Sequence, residues 1–307
     1  MTNARLWRPN WPCPVAAVWA PAKRGVNDPT YRVVDGRHWR AVNTPAGTAT
    51  LAVRQNADAI EAEAWGEAAG FVLDLLPAML GAQDDPSGFR PEHRLLAELH
   101  RRNPHWRLGR TAGVWDAVVP VVIEQKVTGQ EATFGLRALL ARHGVPAPGP
   151  GEGLGLKTFP TPEQVRLIPS WEWLKLHIDP ARSRTLIATA RVAGSLERVL
   201  PLDLGSADAK LRSVPGIGVW SSAEIRGRAL GDADAVSFGD YHIAKDVAAR
   251  GFRPSGTWMY RARVLEQDAE PRGGRNPLVA AAPARSRGFR HRAFVRGVTA
   301  LQGAPVR

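Results

Sequence analysis

The residues best suited to chemistry lie in a short segment that joins two predicted helices near residue 215. The tight turn Pro215-Gly216-Ile217-Gly218 separates a helix that ends near Ser213 from a second helix that begins near Val219. Glycine at 216 and 218 permits positive φ angles and leaves no side chain between the turn and a ligand. Backbone N–H groups at the start of the second helix can then reach a phosphate. A simple packing corner between two helices has the same pattern, and the spacing alone favours neither interpretation.

A second feature follows about twenty residues after the turn, where the chain reads Gly239-Asp240. This pairing of a hairpin with a downstream aspartate resembles the helix-hairpin-helix superfamily of DNA glycosylases. The segments Val114–Ala132 and Phe159–Glu163 resemble stretches of its alkylation-repair branch, the DNA-3-methyladenine glycosylase II enzymes. The resemblance covers roughly residues 1–250. It implies a base-excision-repair enzyme that hydrolytically removes alkylated, 3-methyladenine-like purines from double-stranded DNA.

Asp240 is the residue that the resemblance assigns to catalysis. Cleavage of a base from deoxyribose passes through an oxocarbenium-like state, which a buried carboxylate that faces the sugar stabilises. The alternative is capping of a helix that begins near Tyr241, because Asp is a preferred N-cap residue. We predict the catalytic role from the hairpin context, and we interpret Asp232 and Asp234 as solvated loop acids.

Position 220 separates two kinds of enzyme within this superfamily. Glycosylases that also cut the DNA strand place a lysine just after the hairpin, where its amine attacks the sugar and forms a Schiff base. This chain has Trp220 at that position, and an indole forms no imine. The resemblance therefore implies a monofunctional glycosylase without AP lyase activity.

Three residues match the base pocket of the family, into which the damaged base is flipped. Trp220 and Tyr241 match aromatic positions whose electron-rich faces attract a cationic alkylated purine, although either residue could instead be ordinary core. Glu224 lies one helical turn after Trp220 on the same side, where the family often has an aromatic residue. Glu224 therefore either changes which lesion fits or, as we expect, faces solvent.

Gln125, Lys126 and Val127 align with the loop that enters the minor groove and fills the gap left by the flipped base. Family members commonly use an apolar or amide wedge there. The long stem of Lys126 can act as a wedge while its ammonium contacts a phosphate. A solvated loop lysine is an equally good interpretation of the same residue.

The elements that must position these residues fall into two classes along the chain. Alternating apolar and polar residues predict antiparallel strands in Tyr31–Val42, around the turn Asp35-Gly36, and in Thr48–Arg54 and Ala59–Trp65. Apolar residues at helical spacing predict a helix over Glu67–Leu80. The expected fold class is α+β, with an N-terminal antiparallel β unit, an all-α glycosylase domain and an irregular basic tail.

Helical periodicity predominates after the predicted linker Pro86–Pro91. The segment Val145–Gly155 is rich in Pro and Gly and is predicted to be a surface loop. The expected domains span residues 1–90, 91–250 and 251–307. The predicted helices are Glu92–Arg102, Ala112–Gln125, Gly129–His143, Pro162–Ile168, Pro180–Gly194, Leu196–Leu200, Ala207–Ser213 and Val219–Leu230.

Composition narrows the classes of protein to which the chain can belong. Of its 307 residues, 44% are hydrophobic and 23% are charged, which excludes a disordered or fibrous chain. The single cysteine, Cys13, excludes an intramolecular disulfide and any multi-cysteine zinc or iron-sulfur site. We expect no cofactor, apart from an optional monovalent cation at the hairpin. No apolar run is long enough for a membrane span, so a cytoplasmic protein is expected. The resemblance implies double-stranded DNA as the partner, and we expect a nucleoid-associated monomer.

The net charge of +12 is concentrated at the C-terminal end of the chain. Residues 251–307 contain eleven Arg, no Lys and three acids, so they carry +8 and leave +4 for the first 250 residues. Their composition is typical of a flexible basic tail and equally of a shifted reading frame in a GC-rich gene. Because the helices that the family has there are missing, a non-catalytic or weakly active protein that binds damaged or distorted DNA is the alternative function.

Overall fold

The N-terminal part of the molecule is built around a five-stranded antiparallel sheet. A computed structural model describes residues 3–25, 27–90 and 94–240 of the chain. The predicted strands are confirmed, and the α+β fold class with them. The strands are β1 (Asn3–Trp7), β2 (Tyr31–Val34), β3 (Arg37–Thr44), β4 (Gly47–Gln55) and β5 (Ile60–Trp65), in the order β1-β5-β4-β3-β2.

The hairpin between β2 and β3 forms because its two turn residues tolerate positive φ. Asp35 has φ 50° and Gly36 has φ 71°, the pair of left-handed conformations that a type I′ turn requires. The strands pair directly out of this turn, with Val34 opposite Arg37. This register carries Arg40 into the interior, where it is only 9% exposed.

Two helices, α1 (Val15–Trp19) and α2 (Ala69–Met79), pack with the sheet into one hydrophobic cluster. The helix α2 matches the predicted helix at 67–80. Neither α1 nor β1 was predicted, for physical reasons that differ. Five residues are too few for a helical period to show in α1, and β1 is an edge strand whose residues are exposed or half-buried, so no alternation marks it.

The segment 145–155 is not the surface loop that its Pro and Gly content predicted. Short strands β6 (Val145–Pro146) and β7 (Lys157–Thr158) pair there, with the helical turn α6 (Pro150–Gly153) between them. A Cβ at Gly149 would approach the Trp65 indole to 2.7 Å. Thr50 also donates a hydrogen bond of 2.6 Å to the Pro148 carbonyl oxygen. The glycine that suggested a loop therefore lets the backbone pack onto the sheet.

The second part of the molecule is helical, and α4 lies at its centre. All ten residues of α4 are buried, because α5, α9, α10, α12 and the sheet strand β3 all contact it. The helices are α3 (Arg94–Arg102), α4 (Val114–Ile123), α5 (Gly129–His143), α7 (Pro162–Leu167), α8 (Ser170–Lys175), α9 (Pro180–Arg191), α10 (Ala193–Glu197), α11 (Leu204–Arg212) and α12 (Val219–Ile225).

Several helix bounds differ from the prediction. The helix predicted over 180–194 ends at Arg191. Of the helix predicted over 196–200, only residues 196 and 197 are helical, as the end of α10, and the rest forms a turn. The six-residue helix α8 was not predicted at all. The helix predicted over 219–230 is α-helical only to Ile225 and continues as the π-helical turn Arg226–Leu230, which ends at Gly231 with φ 68°.

Residues 241–307 lie outside the described residues, and with them Tyr241, the predicted tail and the predicted boundary at 250. The domain boundaries therefore stay predictions. Within the described ranges, no helix combines the length and the apolar character that crossing a membrane requires.

Candidate functional site

The hairpin at 215–218 connects α11 to α12 and is held from one side. Ile217 is buried in the helical core, and Gly216 has φ +90°. A Cβ on Gly216 would lie 2.0 Å from Oγ1 of Thr185 on α9, so only glycine fits there. A Cβ on Gly218 would meet nothing within 4 Å. The turn therefore packs against the protein at 216 and 217 and is open at 218.

The predicted wedge loop at 125–127 contacts this hairpin directly. The side-chain amide of Gln125 donates to the Gly216 carbonyl oxygen at 2.9 Å and to the Ser221 hydroxyl at 2.8 Å. Lys126 is exposed and has φ +53°, while Val127 is half-buried against the helical core. The loop and the hairpin therefore form one surface from which Lys126 projects, and Gln125 links the two.

Asp240 contacts Trp220, the first predicted pocket residue. The indole Nε1–H of Trp220 donates to Oδ2 of Asp240 at 2.9 Å. Both side chains are half-buried, and Trp220 also packs against the helical core. The backbone N–H of Asp240 donates to the Ser237 carbonyl oxygen at 3.2 Å. The structure thus brings together the end of the hairpin and the aspartate twenty residues later in the chain.

Glu224 does not face solvent, which corrects the expectation from sequence. Its side chain is only 13% exposed, and it accepts a hydrogen bond of 3.1 Å from Arg228 and another from the Ser237 hydroxyl. Arg228 also forms a two-pronged ion pair with Glu124, at 2.6 and 3.3 Å. Burial alone would lower the pKa of Arg228, but these two carboxylates outweigh it and raise that pKa above its ordinary value.

This network holds the loop that carries Asp240. Glu224 binds the hydroxyl of Ser237, and the carbonyl oxygen of Ser237 accepts the N–H of Asp240. Arg228 and Glu124 were not identified from sequence. The spacing of Glu224 and Arg228, four residues apart on a predicted helix, was a signal for their pairing, but Glu124 lies 104 residues away from Arg228.

Asp232 and Asp234, in the loop before Asp240, differ in solvent exposure. Asp234 is exposed, as predicted, but Asp232 is only 5% exposed and forms an ion pair with Arg226. The prediction of a solvated Asp232 was wrong because the π-helical turn brings Arg226 against it. The N-cap alternative for Asp240 depends on the residues after 240 and lies outside the described part of the chain.

Comparison with known proteins supports the resemblance inferred from the hairpin and Asp240. No protein-family model matches the chain. The chain is 33% identical over 141 residues to a Mycobacterium tuberculosis protein named as a probable bifunctional transcriptional activator/DNA repair enzyme AlkA. The match covers 45% of this chain and 27% of that protein. The chain therefore matches only about a quarter of the length of this curated relative.

Solved structures show the fold. A 3-methyladenine DNA glycosylase from Archaeoglobus fulgidus superposes with a TM-score of 0.70 at 17% identity, over 96% of both chains. The apo form of an 8-oxoguanine glycosylase/lyase from Clostridium acetobutylicum gives a TM-score of 0.58 at 12% identity, over 78% of this chain and 83% of that one. The chain has the fold of the helix-hairpin-helix DNA glycosylases, and the predicted resemblance is confirmed.

Proposed function

We propose that the chain is a monofunctional DNA glycosylase that flips alkylated, 3-methyladenine-like purines out of double-stranded DNA and removes them by hydrolysis. The observation that carries the proposal is the contact between Asp240 and Trp220 beside the hairpin, 2.9 Å between Oδ2 and Nε1. This arrangement occurs in a chain with the fold of known DNA glycosylases. The carboxylate can stabilise the sugar cation, the aromatic ring can stack on a flipped base, and the hairpin can hold the DNA backbone.

Asp240 supplies the negative charge in this proposal. As the bond between base and sugar breaks, positive charge develops on the sugar, and a fixed carboxylate next to it lowers the barrier. The indole N–H of Trp220 and the backbone contact to Ser237 hold that carboxylate in one orientation. A half-buried position allows the carboxylate to face a bound nucleotide as well as its protein partners.

The hairpin and the wedge loop bind the DNA. The open side of Gly218 leaves backbone N–H groups accessible to a phosphate. Lys126 projects beside the hairpin and fills the space of the flipped base or pairs with the backbone. Trp220 and Tyr241 stack on the base once it has left the duplex.

Glu224 acts through the protein and not on the base. Its carboxylate is occupied by Arg228 and by the Ser237 hydroxyl. Such a buried pair is expensive to break, because the remaining charge would be left without a partner. We therefore assign Glu224 as a positioning residue for the loop that carries Asp240.

Release of free base from alkylated duplex DNA tests the proposal. The full chain is incubated with methylated duplex and with the same duplex unmethylated, and released bases are separated by chromatography. We expect methylated purines to be released and the strand to stay intact until alkali cleaves it. Because Trp220 has no amine, borohydride should trap no covalent complex during turnover.

Two outcomes contradict different parts of the proposal. Binding to abasic-mimic DNA without release of any base would leave a protein that recognises distorted DNA and does not act on it. A borohydride-trapped complex would leave the glycosylase activity in place but overturn the monofunctional mechanism, since another amine would then attack the sugar.

A further inference from the structure

A cavity of about 50 Å³ lies where the sheet, α1 and α4 meet. Four arginines line it, Arg24, Arg40, Arg110 and Arg228, together with one carboxylate, Asp116. In the part of the chain that the structure describes, the lining includes neither the hairpin turn nor Asp240. The cavity therefore lies apart from the hairpin and Asp240, although Arg228 belongs both to its wall and to the network that holds the loop carrying Asp240.

Two of the four arginines already have acidic partners. Arg228 pairs with Glu124 and Glu224, and Nε of Arg24 lies 3.9 Å from Oε1 of Glu124. Arg40 and Arg110 form no ion pair within 4 Å with any residue in 3–25, 27–90 or 94–240. Arg40 is under the influence of the nearby Asp116 and Asp28 carboxylates, whereas no carboxylate of the described residues acts on Arg110, so the cavity wall has more positive than negative charge.

Two buried polar atoms of the wall also lack hydrogen-bond partners among the described residues, namely Nε of Arg110 and Oδ1 of Asp116. The first is a donor and the second is an acceptor. Asp28 does not accept from Arg110, since its two oxygens accept the backbone N–H groups of Arg24 and Thr30, and as an acceptor it cannot serve Oδ1 of Asp116. Buried groups in this state destabilise a fold unless something binds them.

Burial lowers the pKa of both Arg40 and Arg110. Loss of hydration is thus the largest effect on the pKa of both guanidinium groups. Arg40 additionally lies over the Trp19 ring, with its Cζ 5.1 Å from the ring centroid, which fixes one face of the guanidinium and leaves its edge for a ligand. The wall holds four arginines and one carboxylate, so an anion in the cavity would offset the remaining positive charge.

We propose that the cavity binds a small tetrahedral oxyanion that carries a proton, of the class of hydrogen phosphate. Its unprotonated oxygens accept from Arg40 and Arg110, and its P–OH donates to Oδ1 of Asp116. At about 10–15 Å³ for each water-sized group, the cavity has room for roughly three or four oxygen-sized groups. A DNA phosphodiester offers similar oxygens but no P–OH, so Asp116 favours the free ion.

Calorimetric titration of the full chain with inorganic phosphate tests this site, with chloride and sulfate at equal ionic strength for comparison. We expect one saturable phosphate site per chain and weaker binding of sulfate, which has no proton near neutral pH. Arg110→Gln and Arg40→Met should each lower the phosphate affinity at least tenfold. Arg54→Gln is the matched control, because Arg54 lies on the same sheet, does not line the cavity and donates to the Asp35 carbonyl oxygen at 3.0 Å.

Circular dichroism establishes whether each variant folds. If Arg40→Met does not fold, the phosphate affinity of Arg110→Gln decides the question. Phosphate binding no stronger than chloride binding would overturn the proposal and leave a water-filled cavity. An equal loss in the Arg54→Gln control would overturn it too. Loss of phosphate binding in saturating undamaged duplex DNA would assign the arginines to the DNA backbone and overturn the free-ion site.

Discussion

Asp240 and Asp116 are the same residue type in two regions with opposite surroundings. Asp240 is half-buried beside the hairpin and accepts the indole N–H of Trp220. Asp116, on α4, is 7% exposed, and burial raises its pKa to about 7 although the Asn43 N–H and Arg40 act against that rise. A carboxylate whose pKa is strongly shifted is often a candidate for a functional residue. We nevertheless assign catalysis to Asp240, because it lies beside the hairpin, and anion binding to Asp116, because it lines the cavity.

Asparagine at position 240 should give the largest effect. Asp240→Asn keeps an acceptor for the indole N–H but removes the charge that offsets the oxocarbenium ion. We expect base release to fall by roughly a hundredfold or more, with unchanged melting temperature and affinity for abasic-mimic DNA. Single-turnover kinetics measure the loss. Retained base release would show that Asp240 is not catalytic and would remove the contrast between the two regions.

The two hairpin glycines test how firmly the catalytic region is packed. Gly216→Ala places a Cβ 2.0 Å from Thr185 at a positive φ, whereas Gly218→Ala points into open space. Gly216→Ala should lower the free energy of unfolding by roughly 2 kcal/mol or more, and Gly218→Ala by much less. Urea denaturation measures both variants. Equal losses would mean that the turn does not depend on its contact with α9.

Removal of one donor tests whether the orientation of Asp240 matters. Trp220→Phe keeps an aromatic ring for the base but deletes the N–H that binds Oδ2. A hydrogen bond to a charged group contributes about 1.5–3 kcal/mol, so base release should fall roughly tenfold with little change in substrate affinity. Trp171→Phe is the control, since Trp171 is 57% exposed and lies beside Lys175. The same loss in both variants would contradict the assignment.

The pH dependence of stability should report Asp116. Because its pKa rises from 3.8 to about 7 on folding, the folded chain holds an extra proton between these values. The protonated Asp116 side chain therefore contributes to stability below about pH 4, and this contribution is lost as pH rises toward 7. Between pH 4 and 7 the loss of this contribution should lower the free energy of unfolding by roughly 1 kcal/mol or more. Asp116→Asn should remove that pH dependence and leave base release unchanged. Thermal unfolding from pH 4 to 8, in phosphate-free buffer, measures it.

Lys126→Ala should have the smallest effect. If the ammonium pairs with the DNA backbone, affinity for abasic-mimic duplex should fall severalfold. The slope of log affinity against log salt concentration should also decrease by about the amount expected for one phosphate contact. Intact duplex is the comparison, because a wedge matters only where a base has left the stack. Equal losses on both duplexes would make Lys126 a general electrostatic contact, and no loss would make it a solvated loop residue.

Local patterns were sufficient to find most helices and strands, whereas the catalytic role of Asp240 came from the family resemblance and stays a proposal. The helices predicted to begin at Pro162 and Pro180 do begin there, and the residues before them, Thr161 and Asp179, accept backbone N–H groups as N-caps. The turn Asp35-Gly36 and the helix Gly129–His143 were also correctly predicted. These features depend on residues within about four positions of one another, so the sequence pattern contains the necessary information.

The partners of buried charges were decided by tertiary structure alone. Glu224 was expected to face solvent, but it pairs with Arg228, which in turn pairs with Glu124 from 104 residues earlier in the chain. A Pro- and Gly-rich segment became a packed element because the sheet lies under it. Sequence thus determined the helix and strand periods, the hairpin turn and the type of residue at positions 220 and 240. Which polar groups lose water depends on the segments that fold over them, and only the tertiary structure determines that.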